Sequence, residues 1–453
     1  MLSIDDVAVI GAGPVGSVAA WAFAEKGADV HLLEANPQAA QRFAGEWLHP
    51  PGVEVLEELG LLPIEAAEEH HAGEGFAVFP ADGSDSIALP YAEDRYALSC
   101  DHELLVSELR ERATEHAKVD YRAFARATEV EQGAVHYRNT QTGEEKTVRA
   151  DLIVGAEGKS SVARRAVGAD VEPEIVSYMG ALTLEEFELS HPGYGHVLLG
   201  GPGPMLLYRV GPDRVRVSID VPVDRSELRR DVGSLYEAFA PAMPDRIAAA
   251  VREALERQSP QWAAAHFRPH VSYGSGRVAL VGDAVGTYHP MTAVGMTSGF
   301  EDVRSLVRTG RVSTYEDERA RESYVPELLS SALYKVFRGR DEGAATIRRA
   351  VYRTWRTSPG LCRRTMRLLS GSETDPRVFA TTFSLVAGRA VLGSARRAVG
   401  DREIGALAHI LGVFGPWVRW PLVPLLPEAI KQRLRQTATI DTPFELKGTG
   451  DRK

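Results

Sequence analysis

The sequence predicts a mixed α/β protein, in which a parallel-stranded layer alternates along the chain with antiparallel-sheet segments and a helical region follows. Three observations lead there. An apolar strand, a glycine-rich turn and a helix follow one another from Val7 to Gly27. Two later apolar runs, ADLIVGAEG and VALVGDAVG, read as further buried strands that end in turns. Residues 73–98 and roughly 173–225 instead hold short strand-like pieces such as MLLYRV and RVRVSIDVP, separated by polar turns.

The bulk composition bounds the rest. A chain of 453 residues is too long for one simple core, so two or three lobes are expected. With 44% hydrophobic and 25% charged residues, a disordered or fibrous protein is excluded. Cys100 and Cys362 lie far apart, which argues against a disulfide framework or a cysteine-rich metal site and points to a reducing cytoplasm. No basic segment precedes the strand at Val7, so no signal peptide is expected. The net charge of −10 is uneven: Lys335 to Arg402 carries fifteen Lys/Arg against five Asp/Glu, a balance of +10 that leaves −20 elsewhere. That stretch fits either peripheral contact with an anionic membrane or acidic partner, or a solvated helix face with arginines lying over apolar neighbours. No nucleic-acid partner is expected.

The elements follow in order. VAVIGAG reads as a strand, PVGSVAAWAFAEKG as a helix closed by Gly27, and ADVHLLE as a strand ending on Glu34. Helices are predicted through PGVEVLEELGLL and from Asp101, a good N-cap, to Ala117. In GAGPVG, Gly11, Gly13 and Gly16 have G-x-G-x-x-G spacing, with Pro14 and Val15 between them. The three glycines permit, in turn, a tight turn, close approach of backbone to a pyrophosphate, and close helix–strand packing. The helix N-terminus adds free N–H groups and partial positive charge. Glu34 stands where a carboxylate can accept from ribose hydroxyls, and it would repel a 2′-phosphate. This loop alone leaves NAD and FAD both open.

A second segment, VALVGDAVGTYHPMTAVGM, narrows the choice. Asp283, at a strand's carboxyl end, can accept hydrogen bonds from a ribitol chain. A helix opening near Ala293, Val294, Gly295 and Met296 would aim its amides at a flavin's pyrimidine edge, where the reduced ring carries negative charge. Pro290 removes an N–H and stiffens the wall beside the ring. Two distant segments, one for each half of a dinucleotide, suit FAD. His289, next to Pro290, is a candidate base, with a loop-stabilising hydrogen bond as the competing role.

Taken together, GAGPVG, EGKSSVAR and GDAVGTYHPMTAVGM resemble the class A flavoprotein monooxygenases of the hydroxybenzoate-hydroxylase fold. RFAGEWLHPPGVEVLEELGL, GHVLLGGPGPMLLYRVGPDRVRVSIDVP, HPMTAVGMTSGFEDV and SALYKVFRG look most like the squalene epoxidase branch. The family's Asp-Gly pair stands here as Glu157-Gly158, and Phe76 stands where that branch carries a tyrosine. The resemblance implies a Rossmann-like FAD-binding domain formed by 1–72, 99–172 and 268–312. It implies an antiparallel substrate domain from 73–98 and 173–267, and a C-terminal helical region over 313–453. It also places Arg42 and Arg110 against the pyrophosphate and flavin side, and Phe76 in the pocket; Tyr91 and Tyr288 are further pocket candidates, with packing as their competing role.

The implied reaction is NAD(P)H-driven flavin reduction, capture of O2 as a C4a-hydroperoxide, and transfer of one oxygen atom to substrate. Epoxidation of a lipophilic alkene, isoprenoid or prenylated, is the leading expectation. Hydroxylation of an aromatic or polyketide ring and reduction of isoprenoid double bonds by a geranylgeranyl-reductase-like flavoprotein are the alternatives. No second G-x-G-x-x-G offers NAD(P)H its own domain, which fits transient reductant binding or a separate reductase. Near the C-terminus, the uncharged run from Ala406 to Val418 has thirteen residues, short of the ~20 that span a bilayer, and WVRWPLVPLLP has interfacial character.

Overall fold

The computed structural model describes residues 4–41, 43–62, 69–339, 342–400 and 426–437; Arg42 and the tail from Ala406 to Leu425 lie outside them. The strand Asp6–Ile10 is buried from Val7 onward because it runs in the middle of a six-stranded sheet. It pairs in parallel with Asp29–Glu34 on one side and Leu152–Gly155 on the other, and Leu152–Gly155 pairs in parallel with Val278–Leu280. In this register Ile10 lies opposite Leu33 and Gly155, and Gly155 opposite Leu280, so all the carboxyl ends share one edge. Parallel strands need crossovers that cover both faces, which is why Val7–Ile10, Leu152–Gly155 and Val278–Leu280 are continuous apolar runs rather than alternating ones.

The helix Pro14–Glu25 opens with Pro14, whose fixed φ suits a first turn, and the chain leaves it through Gly27 at φ +94°. It contacts both His102–Glu115, capped by Asp101, and Gly295–Thr309. Gly16 is where this layer is tightest. A Cβ there would run into the Gly11 carbonyl oxygen, so no side chain fits without moving the turn off the helix.

A seven-stranded sheet forms the second layer, in the order Gln261–Phe267, Glu174–Glu185, Arg214–Pro222, Met205–Arg209, Tyr194–Leu198, Gly75–Phe79 and Ile87–Pro90. Its pairings are antiparallel except that between Tyr194–Leu198 and Gly75–Phe79. Alternation decides its two faces. Leu182, Leu207, Val217 and Ile219 pack against the helices Val232–Phe239 and Asp245–Arg257. Phe76, Val197, Leu206 and Tyr208 point the other way, in one cluster with residues of Tyr324–Arg338, Glu342–Thr357 and Pro359–Leu369.

Cys100 and Cys362 are both buried free thiols. Among the described residues, no helix is long and apolar enough to cross a membrane. Gly16→Ala is expected to cost about 3 kcal/mol, the upper end for overpacking a tight core. Urea denaturation measures it, and an unchanged midpoint would show that the turn tolerates a methyl group.

Candidate active site

A cavity of about 1340 Å³ opens where the carboxyl edge of the parallel sheet faces the antiparallel one. Single small-molecule pockets hold about 300–1,000 Å³, so this volume has room for two tenants. Its walls divide accordingly, with nucleotide-type groups on one side and apolar side chains of the sheet on the other.

On the nucleotide side, Gly11 holds φ +99°, and a Cβ there would lie 2.6 Å from the Ala156 carbonyl oxygen. Gly13 and Pro14 border the cavity, and a Cβ on Gly13 would meet no protein atom within 4 Å. That cradle is shaped for a close-lying pyrophosphate rather than for a side chain. Val15 borders it too, while Gly16 serves packing. Glu34 is fixed by accepting from Ala12 N at 2.8 Å and Asn36 N at 2.7 Å, and it borders the cavity as a ribose acceptor should. Arg110 donates to the Ala12 carbonyl at 2.9 Å and to the Pro37 carbonyl at 2.9 Å, which pins the glycine loop while its side chain lines the cleft.

The second segment meets the first across the cleft. Asp283 is exposed within a short turn, Gly282–Ala284, at the end of Val278–Leu280. The helix Gly295–Thr309 begins beside it with no side-chain cap, and Gly295 and Met296 border the cavity. An uncapped helix start facing a cleft leaves its first amides for a ligand. Asp302 on that helix accepts from Gly282 N at 2.8 Å and pairs with buried Arg319 at 2.7 Å, so turn and helix move as one body. The glycine cradle, the Glu34 and Asp283 carboxylates and the uncapped amides border one cleft, a set of groups that FAD would fit.

Glu157 is half-buried at the cavity's edge and holds the start of the helix Val162–Ala166, accepting from Val162 N and Ala163 N at 3.0 Å and from Ser161 Oγ at 2.8 Å. Burial raises its pKa, and these bonds oppose the rise. Within the same short helix, Arg164 reaches the Ala284 carbonyl at 2.9 Å and the Lys159 carbonyl at 2.8 Å, tying this segment to the Asp283 turn.

Pro290 and His289 stand on the wall between the two sides. Met291 N donates to His289 Nδ1 at 3.2 Å, so the ring proton sits on Nε2, 3.1 Å from Ser177 Oγ and 3.4 Å from Asp220 Oδ1. Both nitrogens are engaged, and the ring stacks on Tyr334 at 3.8 Å. Tyr288 borders the cavity and stacks on His270 at 4.5 Å. Phe76 also borders it, packed 5.0 Å from Trp47. Tyr91 stands behind this wall and is absent from the lining.

Behind the wall lies a chain of hydrogen bonds that sequence reading missed. His49 Nε2 donates to the Thr292 carbonyl at 2.8 Å, its Nδ1 accepts from Tyr91 Oη at 2.6 Å, and Tyr91 Oη accepts from Trp47 Nε1 at 3.1 Å. One neutral imidazole thus holds the turn after Pro290 and the indole facing the cavity. Burial drives the His49 pKa from 6.5 down to about 4. The motif GEWLHP contains Glu46, Trp47 and His49, but nothing in one sequence shows that the three meet residues 42 to 243 positions away.

Comparison with known proteins gives the following. A family model described as an FAD binding domain matches residues 5–319. Squalene epoxidase of Aspergillus fumigatus is 30% identical over 84% of this chain and 85% of that protein. Squalene monooxygenase of Rattus norvegicus is 25% identical over 84% of this chain and 70% of that protein. Among solved structures, 2-methyl-3-hydroxypyridine-5-carboxylic acid oxygenase superposes with a TM-score of 0.62 at 22% identity, covering 76% of this chain and 96% of that one. PqsL of Pseudomonas aeruginosa, described as a probable FAD-dependent monooxygenase, superposes at 0.58 and 22%, covering 74% and 94%.

Two outcomes are expected. Gly13→Ala has room in the protein itself, so folding stability should stay within about 0.5 kcal/mol while FAD affinity falls at least about tenfold. Thermal denaturation of the apoprotein and fluorescence titration with FAD check the two halves. For His49, the unfolded chain takes up a proton between pH 6.5 and about 4 that the folded chain refuses. Its stabilisation is therefore complete above pH 6.5 and declines on acidification, by about 3 kcal/mol at pH 4. His49→Gln should flatten the fall of unfolding free energy across that window; an equal slope in variant and parent would overturn the assignment.

Proposed function

Since the chain belongs to the FAD-binding-domain family of class A flavoprotein monooxygenases, we propose that this FAD-dependent monooxygenase uses O2 and NAD(P)H to epoxidise an alkene of a lipophilic isoprenoid or prenylated substrate. The observation that carries this reading is the composition of the cavity beyond Pro290, where Trp47, Phe76, Met179, Leu206 and Trp262 form the walls. When bound, FAD supplies redox exchange with NAD(P)H and the activation of O2. The chain's part is to bind, orient and keep water out. The Gly11–Gly13 cradle and Glu34 would take the pyrophosphate and the adenosine ribose; Asp283 would take the ribitol. The first amides of Gly295–Thr309 would stabilise negative charge at the pyrimidine edge. Trp47 and Phe76 would hold the alkene against the wall at Pro290.

An alkene is favoured over a phenol because an alkene needs no deprotonation, and His289 has neither nitrogen free for a substrate proton. The relatives named for squalene support a greasy substrate. So do the exposed Arg353, Arg363 and Arg364 on the helices roofing the sheet, which suit peripheral contact with anionic lipid.

The test is turnover by the yellow, FAD-loaded protein with isoprenoid alkenes under isotopically labelled O2. One labelled oxygen atom is expected in an epoxide, with NAD(P)H consumption that depends on substrate. Oxygen-independent saturation of the double bond would instead make the protein a reductase, and label appearing only in ring hydroxyls would make it an aromatic hydroxylase.

A further inference from the structure

The cavity floor is not uniformly apolar. Along Arg214–Pro222, alternation brings Arg216, Ser218 and Asp220 to the cavity-side face. The strands alongside place Leu206 and Ala181 opposite Ser218, and Met179 opposite Asp220. This polar row is built. Glu46, with its side chain 1% exposed, receives Arg216 at 2.7 and 2.9 Å, and Arg216 also reaches Thr183 Oγ1 at 2.7 Å and Asp101 Oδ2 at 3.2 Å. Tyr208 Oη donates to Glu46 Oε2 at 3.0 Å.

The direction of these bonds is decisive. Tyr208 has a single proton, and Glu46 holds it. The contact between Tyr208 Oη and Ser218 Oγ is a long one at 3.4 Å; with the tyrosine proton turned to Glu46, the serine is the donor in it. Burial and the neighbouring Glu46 carboxylate push the Tyr208 hydroxyl pKa well up, which keeps that proton in place. Glu46, Tyr208 and Ser218 all border the cavity, and Ser218 is 2% exposed. Its Oγ thus ends the chain at the cavity, with lone pairs open and its own proton turned toward Tyr208. What this terminus lacks is a donor.

We infer that the substrate is a hydroxylated lipophilic alkene, a prenyl alcohol or prenylated hydroxy compound, whose O–H donates to Ser218 Oγ. The identity of the alkene rests on the epoxidase reading above; the donor requirement rests on the hydrogen-bond chain alone. A plain hydrocarbon would cover the serine lone pairs without replacing water's hydrogen bond, and an ether would face acceptor with acceptor.

The experiment compares farnesol, farnesyl methyl ether and the corresponding deoxygenated triene on the full, FAD-loaded chain. Affinity is read from the change in flavin absorbance, and products are identified by mass. Farnesol should bind about tenfold more tightly than either analogue, the effect of one hydrogen bond with a buried polar group. Ser218→Ala should bring the three affinities together, and Ser218→Thr should restore the order. Tyr208→Phe makes a sharper demand. It frees the serine proton, so the ether should now bind as well as the alcohol while the triene stays weaker. Equal binding of all three by the parent protein, or of ether and alcohol, overturns the inference. If all three also become epoxides, the epoxidase reading survives that failure. If farnesol is preferred but never oxygenated, the donor assignment stands and the epoxidase reading falls. Binding of none of the three overturns both.

Discussion

Parallel pairing of Asp6–Ile10 with its two neighbours is the constraint on which the cleft depends. Parallel strands all finish at the same edge, so the turns that follow them must gather there. Gly11, Glu34, Ala156 and Val281 come from separate parts of the chain, yet each lies within a residue or so of such a strand end. The register sets their relative heights. The Gly11 amide itself donates to the Leu33 carbonyl at 2.7 Å, and Ala156 N donates to the Ile10 carbonyl at 2.8 Å, carrying the strand ladder into the turns.

Turns at such an edge would be mobile if backbone pairing were all that held them. Buried charged groups supply the rest. Asp302 lies between Gly282 N and Arg319, and Arg164 ties Lys159 to Ala284. Isolated charges at such depth would be strongly destabilising, and here each is matched by a partner or by backbone groups. The same device reaches the far end of the described chain. Arg435, on Glu428–Thr437, is buried against Glu327 at 3.1 Å, so that helix belongs to the packed structure around the cleft.

The antiparallel sheet contributes rigidity of another kind. One face is closed by amphipathic helices such as Asp245–Arg257, with Ile247, Val251, Ala254 and Leu255 inward. The opposite face is left to line the cavity. Residues on such a face alternate strictly, so a single strand can present Arg216 and Ser218 to the cavity while Val215, Val217 and Ile219 fill the core behind. Groups borne by paired strands hold position better than groups on loops, which suits the orienting of a flexible chain molecule.

Local chemistry made much of the protein legible in its sequence. The glycine spacing after an apolar run, Glu34 at the next strand's end and Asp101 as an N-cap are short-range patterns whose physical cause lies within a few residues. The uncapped helix start after Pro290 was legible for the same reason. Tyr91 and His289 show the limit: their type suggested a cleft role, but only packing put Tyr91 behind the wall and gave both His289 nitrogens to neighbours at 177, 220 and 291. The chains from His49 to Trp47 and from Ser218 to Glu46 were invisible in sequence. Order along the chain was enough for the class of fold and the chemistry of the nucleotide loop. Which polar groups face the cavity, and which partners they meet there, was decided by folding, because hydrogen bonds depend on partners that only the folded chain brings within 3.5 Å.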